Sequence, residues 1–138
     1  MLSARRLTEI VVELASRPGH EKIRALIYEL LVYGLGARST EIHFERPLPE
    51  VRGRADALLG QTVLEFKRDL RRERRDAEEE LGRYLPQRER ETGERFIGIA
   101  TDGADFVPYQ IEHGALVARP PFRPTVDDPR GLMVWLDS

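Results

Sequence analysis

Asp56, Glu65 and Lys67 lie close together in the stretch Arg54–Lys67, and their types and spacing suit water-splitting chemistry at a phosphate. Two β-like runs flank Gly60-Gln61, which reads as a tight two-residue turn. With that loop, Leu59 pairs with Thr62, Leu58 with Val63, Ala57 with Leu64 and Asp56 with Glu65. Side chains alternate between faces along a strand. One face therefore carries Leu58 and Val63 near the turn, then Arg54, Asp56, Glu65 and Lys67. The other carries Ala55, Ala57, Leu59, Thr62, Leu64 and Phe66.

Opposed residues in an antiparallel pair hold their Cβ atoms about 5 Å apart, and like charges placed so repel. Both faces are apolar near the turn, as in a strand covered on both sides. A carboxylate pair in such surroundings requires a cation or a proton. Mg²⁺ (or Mn²⁺) suits it, because a hard ion takes oxygen from one or two carboxylates and keeps waters for chemistry. Lys67 would orient the attacking water or stabilise charge on phosphorus. The alternative is structural: two edge-strand carboxylates facing water, with Arg54 as partner, and Lys67 bridged to Asp56.

A third acid is available at the start of a helical stretch. Glu21 is in line with Ala25, Tyr28 and Val32, whereas Glu29 shares a polar stripe with Lys22. That spacing makes Glu21 the better candidate of the two, although a Glu at a helix start also suits the helix dipole.

The elements that position these groups follow from periodicity. Residues 4–16 form an amphipathic helix capped by Ser3, with Leu7, Ile10, Val11 and Leu14 as its stripe. Arg17-Pro18-Gly19-His20 breaks it. A second helix runs over 21–35, with Ile23, Leu26, Ile27, Leu30 and Leu31 on one apolar face and Ala25, Tyr28, Val32 and Leu35 on another, so it should be largely buried. Strands follow at 41–46, 52–59 and 62–67. A long helix over 70–92 carries the narrow stripe Ala77, Leu81, Tyr84 and Leu85, and Pro86 should kink or restart it. Strands at 95–101 and 106–111 come next, extended by Leu116-Val117-Ala118. Residues 119–130, rich in Pro and Asp, read as a loop or linker before the apolar piece Leu132–Leu136. A helix between two strands permits a crossover, so the sheet should be mixed and covered by helices on both faces.

Bulk properties narrow the function classes. At 138 residues, one domain with a real core is expected. The net charge of −2 gives no global basic signal, so any nucleic-acid contact must come from a local patch. Cysteine is absent, which excludes disulfides and thiolate metal sites. No run approaches the roughly 20 apolar residues of a membrane span and no signal peptide is visible, so the default location is cytoplasmic. His20, His43 and His113 fit no zinc spacing.

The residues and their order resemble the PD-(D/E)XK nuclease superfamily. An acidic residue on an early helix, an Asp in one strand and Asp/Glu-X-Lys in the next look like Glu21, Asp56 and Glu65-Phe66-Lys67. The resemblance is nearest to the N-terminal nuclease domain of type I and type IIG-like restriction-modification enzymes. Glu21-Lys22-Ile23-Arg24 with Leu35-Gly36, and Arg95–Thr101 followed by Asp102-Gly103, look like segments of that domain. Ala55 stands where the family often has Pro. Glu80-Leu81-Gly82-Arg83-Tyr84 has the spacing of the Gln-X-X-X-Tyr of some relatives, with Glu in place of Gln; a carboxylate there repels phosphate.

The resemblance, which runs from about residue 20 to 118, implies an α/β, restriction-endonuclease-like mixed β-sheet flanked by helices in a domain of residues 1–118, with 1–19 as an N-terminal helix extension; 119–138 reads as a loop or linker and a short apolar segment. It implies Mg²⁺-dependent hydrolysis of DNA, with Asp56, Glu65, the Phe66 carbonyl and Glu21 about the metal and Lys67 beside it. Arg54, Arg68, Arg71 and Tyr84 are the candidate DNA contacts, although Arg68–Glu80 also reads as a solvated helix with pairs such as Arg74–Glu78 and Arg75–Glu79. By the same resemblance, a methyltransferase or helicase, in this or a partner chain, and a homodimer are the expected partners. The rival readings are a non-catalytic nucleic-acid-binding or assembly module on the same fold, and a junction resolvase or RNase.

Overall fold

The computed structural model describes residues 2–36, 42–47 and 54–137, with the backbone alone for 42–47 and 54–59. Helix α1 (Ala4–Ala15) starts where the Ser3 hydroxyl accepts a hydrogen bond from the Arg6 amide at 3.1 Å. This satisfies one of the amides that a helix start leaves without a partner. Its stripe of Leu7, Ile10, Val11 and Leu14 is buried. Arg17 and Gly19 then take left-handed φ values of 54° and 94°, which reverse the chain into helix α2 (His20–Glu29).

Helix α2 passes into a π turn over Leu30–Gly34, where the Leu35 amide reaches back to the Leu30 carbonyl at 3.0 Å. Ile23, Leu26, Ile27, Leu30 and Leu31 are buried as their spacing predicts. The second expected face is not. Tyr28, Val32 and Leu35 are only half-buried, and Ala25 and Glu21 are exposed. The helix lies in an outer layer and has one broad contact surface, so apolar residues off that surface meet water.

Strands β1 (Ile42–Pro47), β2 (Arg54–Leu59) and β3 (Thr62–Phe66) form the expected meander. Leu59 faces Thr62, Leu58 faces Val63 and Ala57 faces Leu64, so the turn is Gly60-Gln61. Helix α3 (Leu70–Thr92) carries the chain over to β4 (Ile97–Thr101), which lies parallel to β3. Strands β5 (Phe106–Glu112) and β6 (Ala115–Ala118) continue antiparallel. Among the described residues the six strands are ordered as in the sequence, and the one parallel pair is the one whose connection is a helix. The fold is α/β, with a mixed sheet flanked by helices.

Alternation along the strands divides the core. Leu64 and Phe66 of β3 pack with Ile99 and Phe106 against α1 and α2. Val63 packs with Ala100, Val107 and Tyr109 against Leu81, Tyr84 and Leu85 of α3. Helix α3 runs through Pro86 as one helix, so it is not restarted there. The carbonyl that Pro86 leaves without its helical donor is that of Gly82.

Helix α4 (Gly131–Asp137) closes the α1/α2 side with Leu132 and Met133 buried. Trp135 stacks on Phe122 at 5.3 Å and meets Phe106 edge-on at 5.8 Å. Phe122 and Phe106 exchange main-chain hydrogen bonds of 2.8 Å in both directions. The segments expected as an extension (1–19) and a linker (119–138) therefore supply core residues, from Leu7 at one end to Met133 at the other. Among the described residues, no helix is long and apolar enough to cross a membrane.

Candidate active site

The three-residue run after Leu64 places its side chains on alternate faces. Phe66 turns its ring into the α1/α2 core, leaving only its main chain beside the polar notch. Glu65 and Lys67 face α3. Glu65 is only 1% exposed and Lys67 8%. Lys67 Nζ lies 4.0 Å from Glu65 Oε2 and 2.9 Å from Glu80 Oε1, the latter reaching down from α3. The Lys67 amide donates to the Thr101 carbonyl at 2.9 Å, so the backbone here is fixed to β4.

Glu80 comes from the edge of the buried stripe formed by Ala77, Leu81, Tyr84 and Leu85, and its side chain keeps 26% exposure. The notch is thus backed by the sheet, while Glu80 keeps partial contact with solvent. The ion pair anticipated for Lys67 in a purely structural site was to Asp56, whose side chain lies outside the described residues; among the described residues its close partner is Glu80.

Glu65 Oε1 is buried and has no hydrogen-bond partner among the described residues. Taking a carboxylate out of water costs several kcal/mol. An ammonium 4.0 Å away returns on the order of 4 kcal/mol at the effective dielectric of such sites. That ammonium is shared with Glu80, and a buried acceptor with no donor costs about 1–3 kcal/mol more. The described residues alone leave this carboxylate under-compensated.

Asp56 lies in β2, and its side chain, like that of Arg54, lies outside the described residues. Continuing the observed register by one residue from Ala57 and Leu64 sets position 56 opposite Glu65. Glu21 is a correction. Its side chain is 89% exposed and pairs with Arg24 at 3.3 Å. It starts a helix that packs against the sheet face opposite Glu65. Glu29 is taken up elsewhere too, accepting from Arg6 Nε at 2.6 Å and from its terminal nitrogen at 2.7 Å.

Among the candidate DNA contacts, Tyr84 is also a correction, since it is 3% exposed and part of the α3 core. Arg68 is exposed. Arg71 is exposed, with its guanidinium on both oxygens of Asp69 at 2.9 and 3.0 Å. Arg17, Arg68, Arg71 and Arg72 line an open hollow of about 490 Å³ at the start of α3, together with Asp69 and Glu73. Farther along the helix, Arg74 pairs with Glu78 at 3.5 Å as expected, and Glu78 accepts from the Tyr109 hydroxyl at 2.9 Å. Burial and that bond push the Tyr109 phenol up to about 12.

One acid with no expected role anchors the site. Asp102 is fully buried and accepts from Arg17 Nε at 2.8 Å, the Leu70 amide at 2.9 Å, and the amides of Ala104 and Asp105 at 3.0 Å each. It ties the end of β4 to the first residue of α3, just past Lys67. The only sequence signal was Thr101-Asp102-Gly103, which reads as a turn.

A second hollow, about 260 Å³, lies on the opposite sheet face among Leu31, Leu64, Ile99, Trp135 and Leu136. Its lining among the described residues is mostly apolar, with Thr62, Gln110 and Arg119 as the polar members, and includes no carboxylate. No family model matches the chain, and neither a curated protein nor a solved structure matches it.

Proposed function

We propose that this protein is a divalent-metal-dependent nuclease that hydrolyses DNA phosphodiester bonds on a restriction-endonuclease-like fold, in restriction-modification or a related process in the cytoplasm. The observation that carries the proposal is Glu65: a buried carboxylate with an orphaned oxygen and an ammonium beside it. Its donors are oxygens alone, which fits a hard cation. Among the described residues no three His, Asp or Glu side chains converge. The remaining ligand of the proposal is Asp56, with the Phe66 carbonyl.

When bound there, Mg²⁺ or Mn²⁺ supplies an acidified water and positive charge beside the phosphate. The chain's own residues do the rest. Asp56 and Glu65 hold the ion. Lys67, fixed by its amide to Thr101, presents Nζ to the attacking water or to a phosphate oxygen. The floor of Val63 and Ala100 excludes bulk water from below. Arg68, exposed immediately after Lys67, and the arginine-lined hollow give the local positive patch that a chain of net charge −2 needs to hold a polyanion.

The Lys67–Glu80 bond is also what a structural ion pair makes, which favours the second reading, a non-catalytic module on the same fold. Nicking of supercoiled plasmid separates the two. Wild type is expected to nick with Mg²⁺, and Asp56→Ala and Lys67→Ala to lose activity by about a hundredfold or more. Equal rates in all three would reject the assignment. Branched DNA and RNA assayed beside duplex separate a resolvase or RNase.

A further inference from the structure

The hollow of about 260 Å³ on the sheet face away from the α3 notch takes its shape from the strand register. Directly paired residues on neighbouring strands share a face, so three rows cross β3, β4 and β5 on the α1/α2 side. The innermost joins Phe66 and Phe106 through Thr101; the next is Leu64, Ile99 and Pro108; the outermost is Thr62, Ile97 and Gln110. Exposure rises along this series. Phe66 and Phe106 are fully buried, Leu64 and Ile99 are buried, and Ile97 is 38% exposed. Leu31 of α2 with Trp135 and Leu136 of α4 complete the wall. The hollow is therefore apolar at depth, and its polar members Thr62, Gln110 and Arg119 stand at the mouth. Apolar surface is left to water along this wall. Ile97 is open, and Trp135 and Leu136 are only half-buried although their helix sends Leu132 and Met133 into the core. Such surface in a concave wall gains free energy when an apolar group covers it.

We propose that this hollow is a binding site for a small amphipathic carboxylic acid, with its hydrocarbon body against Leu64, Ile99 and Trp135 and its carboxylate at Arg119. The site is independent of the metal-dependent reading above and lies on the other face of the sheet. The Arg119 amide is fixed to the Pro108 carbonyl at 2.8 Å, and its Nε donates to Gln110 Oε1 at 3.2 Å. A terminal nitrogen of the same guanidinium pairs with Glu112. A guanidinium carries five N–H donors in a planar fork, so these contacts leave donors for a further acceptor. A carboxylate matches that fork best. Arg119 and Glu112 are both partly open to solvent, so the guanidinium can serve a second carboxylate without stranding the first. The volume sets the size of the body. A dry cavity of roughly 150 Å³ takes benzene, so this hollow suits a chain of about eight carbons.

The experiment is titration of the full chain with octanoate below its micelle range, beside octanol and butyrate. The chain has one tryptophan, so its fluorescence reports on this wall directly. Calorimetry gives the stoichiometry, and the thermal transition gives a second readout, since a ligand of the folded state raises it. Expected are saturable binding of one octanoate per chain, at least tenfold weaker binding of butyrate and octanol, and a raised transition. Arg119→Gln should weaken octanoate about tenfold and leave octanol unchanged. Ile99→Phe, which fills the hollow, should weaken both. Ile97→Glu, at an exposed position that folding tolerates, should weaken octanoate more than octanol. Wild-type octanoate affinity in Arg119→Gln, or octanol bound as tightly as octanoate, overturns the carboxylate assignment. Wild-type affinity in both Ile99→Phe and Ile97→Glu, each folded by circular dichroism, places the ligand elsewhere and overturns the site. So does uptake that never saturates, which is partitioning onto the surface. A folded wild type with neither a fluorescence change nor a raised transition overturns the inference outright and leaves the nuclease reading untouched.

Discussion

Asp69 caps α3 through the Arg71 amide at 3.0 Å and grips the Arg71 guanidinium, with Arg17 Nε 3.9 Å away. The Arg71 hydrogen bond, the largest influence, holds this carboxyl at about 2 against an ordinary 3.8. Arg123 lowers Asp105 in the same way, and Arg6 lowers Glu29. A carboxyl lowered in the folded state adds stability that is complete above its unfolded value and fades as pH falls toward the folded one. The urea midpoint should therefore be flat from pH 7 to 5 and decline from about pH 4 toward 2. Asp69→Asn should start lower at neutral pH and lose less on acidification. An unchanged acid slope in that variant would show that these pairs do not act. The effect is modest, since the pairs are largely solvated. At this scale the sequence was informative where one strand supplied the geometry: Glu65 and Lys67 share a face by a two-residue period. It was silent where geometry needs two elements. Asp102 meets partners 32 and 85 residues away, and Glu80 meets Lys67 only once α3 is rotated into place by Ala77, Leu81 and Leu85. Glu21 was misplaced because helical spacing says which residues share a face, not whether that face meets anything.

Gly98 of β4 decides how closely α3 approaches the sheet. A Cβ there would stand 2.8 Å from Leu81 Cδ2 and 3.1 Å from Leu85 Cδ1, inside contact distance. Both leucines are fully buried, so neither can swing aside freely. Glu80 immediately precedes Leu81, and pushing the helix outward would carry its carboxylate away from Lys67. Gly98→Ala should thus cost about 1–3 kcal/mol of stability, the range for overpacking a tight core. A urea midpoint equal to wild type would show that the helix has room. The extents of α3 and the β2–β3 turn were legible in the sequence because they depend on local pattern: an apolar stripe at helical spacing for the helix and Gly60-Gln61 for the turn. The π turn after Glu29 was not, because tertiary packing overrides the local preference there.

At the scale of the whole molecule, the α1/α2 side of the sheet is assembled from both ends of the chain. Leu7, Ile10 and Leu14 come from the first helix, and Leu132 and Met133 from the last, all packed about Phe66 and Phe106. Composition made residues 119–130 look like a linker, since Pro and Asp mark loops. A loop can still be an essential strap when aromatic residues pin it, as Phe122 and Trp135 do here. Removing residues 119–138 would uncover Phe106, which is fully buried, and leave α1 and α2 without their third neighbour. A chain of residues 1–118 is therefore expected to lose its cooperative thermal transition. The single change Leu132→Ala, which opens a cavity while keeping the strap, should cost about 2–5 kcal/mol. Circular dichroism melts of the two variants beside the full chain make the comparison. If residues 1–118 melt cooperatively within a few degrees of the full chain, the strap is dispensable and the boundary near residue 118 is real. If Leu132→Ala alone lowers the transition while the α3 side still takes up Mn²⁺, the two faces of the sheet are separable, one for stability and the other for the site.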